Sequence, residues 1–186
     1  MTRVDGWDLS LTATGVSLPS GQTFTIKPSG AGDRRLVHIR DALDYYVTQS
    51  APDVAVIEEP IVSTRGGFKS TVVLLGVHLI AREVLARHGV PYAYIHAATL
   101  KKYATGSGGA SKQNMIDACF DAGGEPADDN QADAWWLRAA GKHHYDRAVP
   151  SLAHALSLEL ISGPRSKVKW PDLPMRPHDA PGGRLK

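Results

Sequence analysis

Apolar residues recur along this chain in two periods, and the switches between them lay out its elements. Residues 2–9 read as a first strand, with Val4, Trp7 and Leu9 apolar. Thr12 to Leu18 alternates apolar and small polar side chains, Pro19-Ser20-Gly21-Gln22 supplies a turn, and Thr23-Phe24-Thr25-Ile26-Lys27 returns. That spacing predicts an antiparallel meander. After a Gly/Ser loop from Ser29 to Asp33, the period lengthens to that of a helix with Leu36, Ile39, Leu43, Tyr46 and Val47 on one face. Pro52-Asp53 opens the continuous run Val54-Ala55-Val56-Ile57, the pattern of a parallel strand buried on both sides. Val72 to Arg87 is predicted as a long helix closed by Gly89, apolar nearly all round at Val72-Val73-Leu74-Leu75, hence deep core or a subunit contact. Val90 to Ile95 forms a further strand, a short helix follows around Leu100, and Ser111 caps a helix to about Asp121. The acidic segment from Asp128 opens a last helix. Three antiparallel strands, a helix, then alternating strands and helices predict a mixed α/β fold.

Four acidic residues interrupt this pattern where a carboxylate is costly without a task. Asp8 breaks the first apolar stretch, Glu58 ends the Val54–Ile57 run, and Asp129 and Asp133 lie in the first turns of a helix whose following residues are apolar. Carboxylates at strand ends and on one helix face, gathered by folding, make a site for hard divalent cations, an arrangement used by two-metal nucleases. Glu58 and Glu59 are adjacent, so only one can face such a site. Glu58 directly follows the apolar run and Pro60 holds Glu59 extended, which selects Glu58 and leaves Glu59 at the rim. Asp133 is three residues from Asn130 and four from Asp129, so both share its helix face.

Composition narrows the setting. A chain of 186 residues is expected to form one domain with a sizeable core. The lone Cys119 excludes an internal disulfide and a cysteine zinc cage, and fits a reducing compartment. With no charged-then-apolar leader and no run of about 18 apolar residues, a soluble, cytoplasmic protein with no membrane contact is expected. Net charge is only +2, yet residues 163–186 hold six Lys/Arg against two Asp, together with five of the twelve prolines. Few aliphatics accompany them, so this stretch is expected to be a basic, disordered tail on a body spanning residues 1–162, and its charge suits a polyanionic partner. His143 and His144 read as solvated, and Trp135 and Trp136 as packing residues.

Four segments, in order, carry a family resemblance. Gly6-Trp7-Asp8-Leu9-Ser10 with Thr14-Gly15, then Val56-Ile57-Glu58, then Lys101 with Thr105-Gly106-Ser107-Gly108 to Ser111-Lys112, and Asn130-Gln131-Ala132-Asp133-Ala134 resemble the successive motifs of the RuvC family of Holliday-junction resolvases, including bacteriophage-type members. They span about residues 4–140. The resemblance implies an RNase H-like fold, a mixed five-stranded sheet of antiparallel meander followed by parallel strands flanked by helices. It implies a homodimer that nicks branched DNA, chiefly four-way junctions, using Mg²⁺, with Mn²⁺ able to substitute and two ions per active site. Asp8 is then the residue that bridges both ions, with Glu58 and Asp133 as ligands. Asn130 stands where the family more often carries an acid or His. Either its amide oxygen serves or Asp129 supplies the missing charge. Lys112, and with it Lys101, becomes a DNA-phosphate or catalytic-support residue beside the glycine loop, where backbone can approach a phosphate. The segment Ile61 to Lys69 is implied to enter the junction centre, with Arg65 and Phe68 as DNA contacts. No segment marks a branch-migration helicase partner.

Three rival readings differ in class. An actin-like ATPase or sugar kinase shares the core fold and an opening Asp, but Asp8-Leu9-Ser10-Leu11-Thr12 lacks the early glycine of that phosphate loop, and the chain is too short for two such domains. A catalytically weak branched-DNA-binding relative is favoured only by Asn130. A flap or replication-fork nuclease of the same fold remains open.

Overall fold

The structure is a computed structural model that describes residues 1–61, 67–147 and 158–174, without the side chains of 67–69. A five-stranded sheet runs through its middle in the order β3-β2-β1-β4-β5: β1 Val4–Asp8, β2 Thr14–Ser17, β3 Thr23–Ile26, β4 Val54–Glu58 and β5 Tyr92–Ile95. β1, β2 and β3 form the expected antiparallel meander, with Trp7 opposite Val16 and Gly15 opposite Thr25. β4 lies parallel to β1, with Trp7 beside Ile57, and β5 lies parallel to β4.

Strand alternation sends successive side chains to opposite faces, and each face has its own core. Val4, Val54 and Val56 pack with Ile95, Leu100, Met115 and Trp136 on one side. That side is covered by α3 Ala97–Thr105, α4 Lys112–Asp121 and α5 Asp129–Asp146. Trp7, Ala55 and Ile57 pack with Ile39, Leu43, Val77 and Leu85 on the other. There α1 Arg34–Ser50 buries Ile39, Leu43 and Val47 as its spacing predicts. Its companion α2 Gly67–Arg87 begins earlier than expected. Only the later part of α2 is core: Val77, Ala81, Val84 and Leu85 are fully buried, while Val72, Val73, Leu75 and Leu79 stand exposed. Ser111 caps α4 as predicted, in a reciprocal capping box with Asn114. None of the described helices is long and apolar enough to cross a membrane.

Two expectations need correction. His143 and His144 are not solvated. α5 is covered almost all round, so His143 is buried and meets Tyr103 Oη at 3.2 Å through Nδ1, and His144 meets Ser162 Oγ at 2.6 Å. The second correction concerns the C-terminal stretch. A last short helix, α6 Leu158–Ser162, leads into residues 163–174, which lie on the core as a strap. Trp170 stacks on His144 at 4.3 Å and donates from Nε1 to Ile161 O at 2.6 Å, and Tyr145 Oη donates to Pro171 O. Three apolar side chains, Val168, Trp170 and Leu173, give this basic segment the burial its composition conceals. Residues 175–186 lie outside the described residues.

One buried charge is unrelated to the acidic motif. Asp5 is fully buried, with Ser50 Oγ at 3.4 Å, and burial pushes its carboxyl up to about 7 despite relief from Trp7, Ser50 and Arg138. The folded state therefore holds a proton that the unfolded chain releases near pH 4, and stability falls as pH rises across that window. Asp5→Asn should raise stability at pH 8 by on the order of 2–4 kcal/mol and far less at pH 5. Calorimetric melting at the two pH values checks this, and an equal effect at both would contradict it.

Candidate functional site

β1 and β4 are adjacent and parallel, so Asp8 and Glu58 come side by side at their C-terminal ends. Alternation puts Asp8 on the face of Val4 and Gly6, and Glu58 on that of Val54 and Val56, which is the α5 side. After Asp8 the chain turns tightly: Ser10 N donates to Thr14 Oγ1 at 3.1 Å, and Thr14 Oγ1 donates back to Ser10 O at 2.7 Å. Glu59, as expected, is exposed, with its backbone N–H donating to Ile95 O at 2.9 Å.

α5 supplies the third carboxylate, and its first turn is stapled to β3. Asp128 caps the helix by accepting from Gln131 N at 2.9 Å and also accepts from Thr25 Oγ1 at 2.7 Å. Gln131 accepts from Thr23 Oγ1 and Ala127 N, each at 3.0 Å. Gly6 and Gly15 let the helix backbone rest on the sheet. A Cβ on Gly6 would lie 2.0 Å from Ala134 O, and one on Gly15 would lie 2.1 Å from Asn130 O. This seating directs Asp133 at the two strand-end acids.

Burial raises all three carboxyls, and neighbouring acids add to the rise. Asp8 is raised well above the ordinary carboxylate range by burial and then by Glu58, Asp133 and Asp129. Glu58 rises to about 7 through burial and Asp133. Asp133 rises to about 6 through burial, with Lys101 and Lys112 pulling it down and Asp129 pushing it up. Asp133 Oδ1 is buried with no hydrogen-bond partner among the described residues. Lys101, on α3, is half-buried and acts on both Glu58 and Asp133. Lys112, 80% exposed, pairs with Asp129 at the mouth of the site. Asn130, with its amide assigned by its surroundings, donates to Ala13 O at 3.2 Å and Asp8 Oδ2 at 3.3 Å, so its nitrogen rather than its oxygen faces Asp8. Arg65 and the side chain of Phe68 lie outside the described residues.

Asp8 and Glu58 also line a cleft with Leu9, Pro60, Leu74 and His78. His78 escaped the sequence reading. The available signal was its place one turn after Leu74, on a helix passing the Glu58 strand end. The donor set is oxygen only, which suits Mg²⁺ or Mn²⁺. Among the described residues no three His, Cys, Asp or Glu side chains close on one point as a single-ion cage. Asp8 and Glu58 instead border an open cleft, which fits a cation held by a few carboxylates with its remaining positions left to water and phosphate.

No family model matches the chain. It is 32% identical over 159 residues to the crossover junction endodeoxyribonuclease RuvC of Maricaulis maris (strain MCS10), covering 82% of this chain and 86% of that one. In fold it is similar to T. thermophilus RuvC in complex with Holliday junction substrate, with a TM-score of 0.64 at 17% identity, over 74% of this chain and 91% of the other. A second Thermus thermophilus RuvC structure gives 0.60 at 17% identity, over 73% and 90%.

Proposed function

Because the chain belongs to the RuvC family of crossover junction endodeoxyribonucleases, we propose that it resolves four-way DNA junctions by paired, metal-dependent nicks. The observation that carries this is a set of three carboxyls raised by burial, from β1, β4 and α5, of which Asp133 raises the other two and Asp8 and Glu58 line one open cleft. Asp8, Glu58 and Asp133 would hold divalent cations, with Asp129 and Asn130 at their margin. Mg²⁺, two ions to a site and replaceable by Mn²⁺, would supply an activated water and neutralise charge on the leaving oxygen.

The chain's own groups do the rest. Lys101 and Lys112 draw the phosphodiester toward the acids, and Lys112 leaves Asp129 to do so. Asn130 holds one oxygen of Asp8, so that the carboxylate keeps a single orientation. Water adds to phosphorus, the bond to the 3′ oxygen breaks, and the ends carry 5′-phosphate and 3′-hydroxyl groups that can be religated. Arg65 and Phe68 are proposed to reach the junction centre. Two symmetric nicks need two sites, so a homodimer is proposed, with the exposed Val72, Val73, Leu75 and Leu79 of α2 at its interface.

Labelled four-way junction, linear duplex and flap DNA, each with Mg²⁺ or EDTA, provide the test. Paired nicks in the junction that need metal, with duplex spared, are expected. A junction bound but left whole in both Mg²⁺ and Mn²⁺ would make the protein a binding module, and equal cutting of flaps would widen its substrate class.

A further inference from the structure

We propose that His78 is a further polar contact for the reacting phosphodiester: its ring hydrogen-bonds an oxygen at the point of cleavage, either the attacking water or a nonbridging phosphate oxygen. This rests on the reading of the cleft as the junction-cutting site.

His78 lies on α2, one turn beyond Leu74, and the two line the cleft together with the strand ends that carry Asp8 and Glu58. The residue is 5% exposed, and its Nδ1 has no hydrogen-bond partner among the described residues. Its surroundings are the Tyr94 ring, 5.9 Å away between centroids, Arg82 one turn further along, and the apolar Val77 and Ala81 beside it in the chain. A buried ring nitrogen left unpaired costs about 1–3 kcal/mol, and an aliphatic side chain would fill this helix position without that cost. A polar group kept there is explained by a partner that arrives with the substrate.

The chemistry of the cleft says which partner. Among the described residues every other side chain lining it is acidic or apolar, so once the acids are ionised each accepts a hydrogen bond or makes none. Nonbridging phosphate oxygens also only accept. Burial and Arg82 hold the imidazole down to about 4, so it stays neutral at working pH, with one nitrogen donating and the other accepting. A neutral ring can donate to a phosphate oxygen or accept from a water without adding charge beside the three acids. Among the described side chains of the cleft wall it is the one able to do both.

The experiment compares His78→Leu with His78→Asn, whose amide stands near the place of Nδ1. Single-turnover cleavage, junction affinity in EDTA and melting temperature are measured for each. The Leu variant should lose roughly 100-fold in cleavage at an unchanged or higher melting temperature, and the Asn variant should recover most of that loss. A loss confined to the rate identifies the water. A loss shared with junction affinity identifies the phosphate oxygen. In parallel, the ring-nitrogen resonances of His78 in wild-type protein should shift when junction is added in EDTA. Wild-type cutting by the Leu variant, or an Asn variant as impaired as Leu at the same melting temperature, would overturn the proposal, and unmoved ring resonances would overturn its phosphate form. Wild-type protein that leaves the junction whole is a different failure: it would overturn the underlying function as well.

Discussion

Asp8→Asn should abolish junction cleavage and, in the absence of metal, make the protein more stable. The two effects have one origin. Asp8 is raised by burial and by three other acids, so its ionised form is tolerated in the fold only for what it binds. Asn keeps the shape and removes the charge. Cleavage should fall by at least about 10³-fold, the scale seen when one member of an essential catalytic unit is lost. The stability gain has a defined pH dependence. Asp8, Glu58 and Asp133 all hold protons more tightly folded than unfolded, Glu58 to about 7 and Asp133 to about 6. Unfolding therefore releases protons between about pH 4 and pH 7, and wild-type stability in EDTA falls as pH rises through that window. Asn at position 8 should raise the melting temperature clearly at pH 8 and little at pH 5. Mg²⁺ should act in the same sense on wild type, raising its melting temperature more at pH 8, where cations no longer compete with protons, and doing less for the variant. Melting curves with EDTA and Mg²⁺ at both pH values test all of this. A wild-type protein indifferent to Mg²⁺ would remove the cation site from the mechanism.

Gly15→Ala and Gly6→Ala should be the most damaging substitutions outside the acids. The added carbon would sit 2.1 Å from Asn130 O in the first case, and 2.0 Å from Ala134 O and 2.6 Å from Arg138 N in the second. These neighbours are backbone, so no rotamer change relieves the clash and α5 must lift from the sheet. The expected destabilisation is at least about 3 kcal/mol, the upper end for overpacking. Any folded fraction should also cut slowly, because a displacement of about 1 Å at the reacting centre can cost about 10²-fold. Thermal melting followed by cleavage at equal folded concentration separates the two losses. An unchanged melting temperature would mean that α5 is not seated as described.

The fold was legible in the sequence wherever a period was clean. The alternation in the meander, the apolar run before Glu58, the cap at Ser111 and the acidic segment from Asp128 each predicted an element that is present, to within a few residues. Glu58 rather than Glu59 was expected to face the site, since side-chain direction in a strand follows from its neighbours, and its part there belongs to the proposed function. Features that depend on how elements pack were hidden. A helix covered almost all round buries His143 and half-buries the adjacent His144, which a one-face pattern assigns to solvent. Trp170 organises a strap from a stretch whose average composition reads as disordered. Asn130 offered its residue type but not the direction of its amide, which is set by Ala13 O and Asp8. Only its place one turn after Leu74 marked His78, since the cleft it borders forms only when β1 and β4 lie beside α2.

The order of the three acids along the chain also places the site in time. Asp8 and Glu58 belong to the first third of the sequence, whereas Asp133 comes 75 residues after Glu58. At synthesis rates of about 5–20 residues per second, that gap is roughly 4–15 s. During it the chain carries Asp8 and Glu58 without the helix that bears Asp133. A nascent chain can thus begin to fold with no competent cutting centre, and one cut short before α5 would be born harmless to DNA.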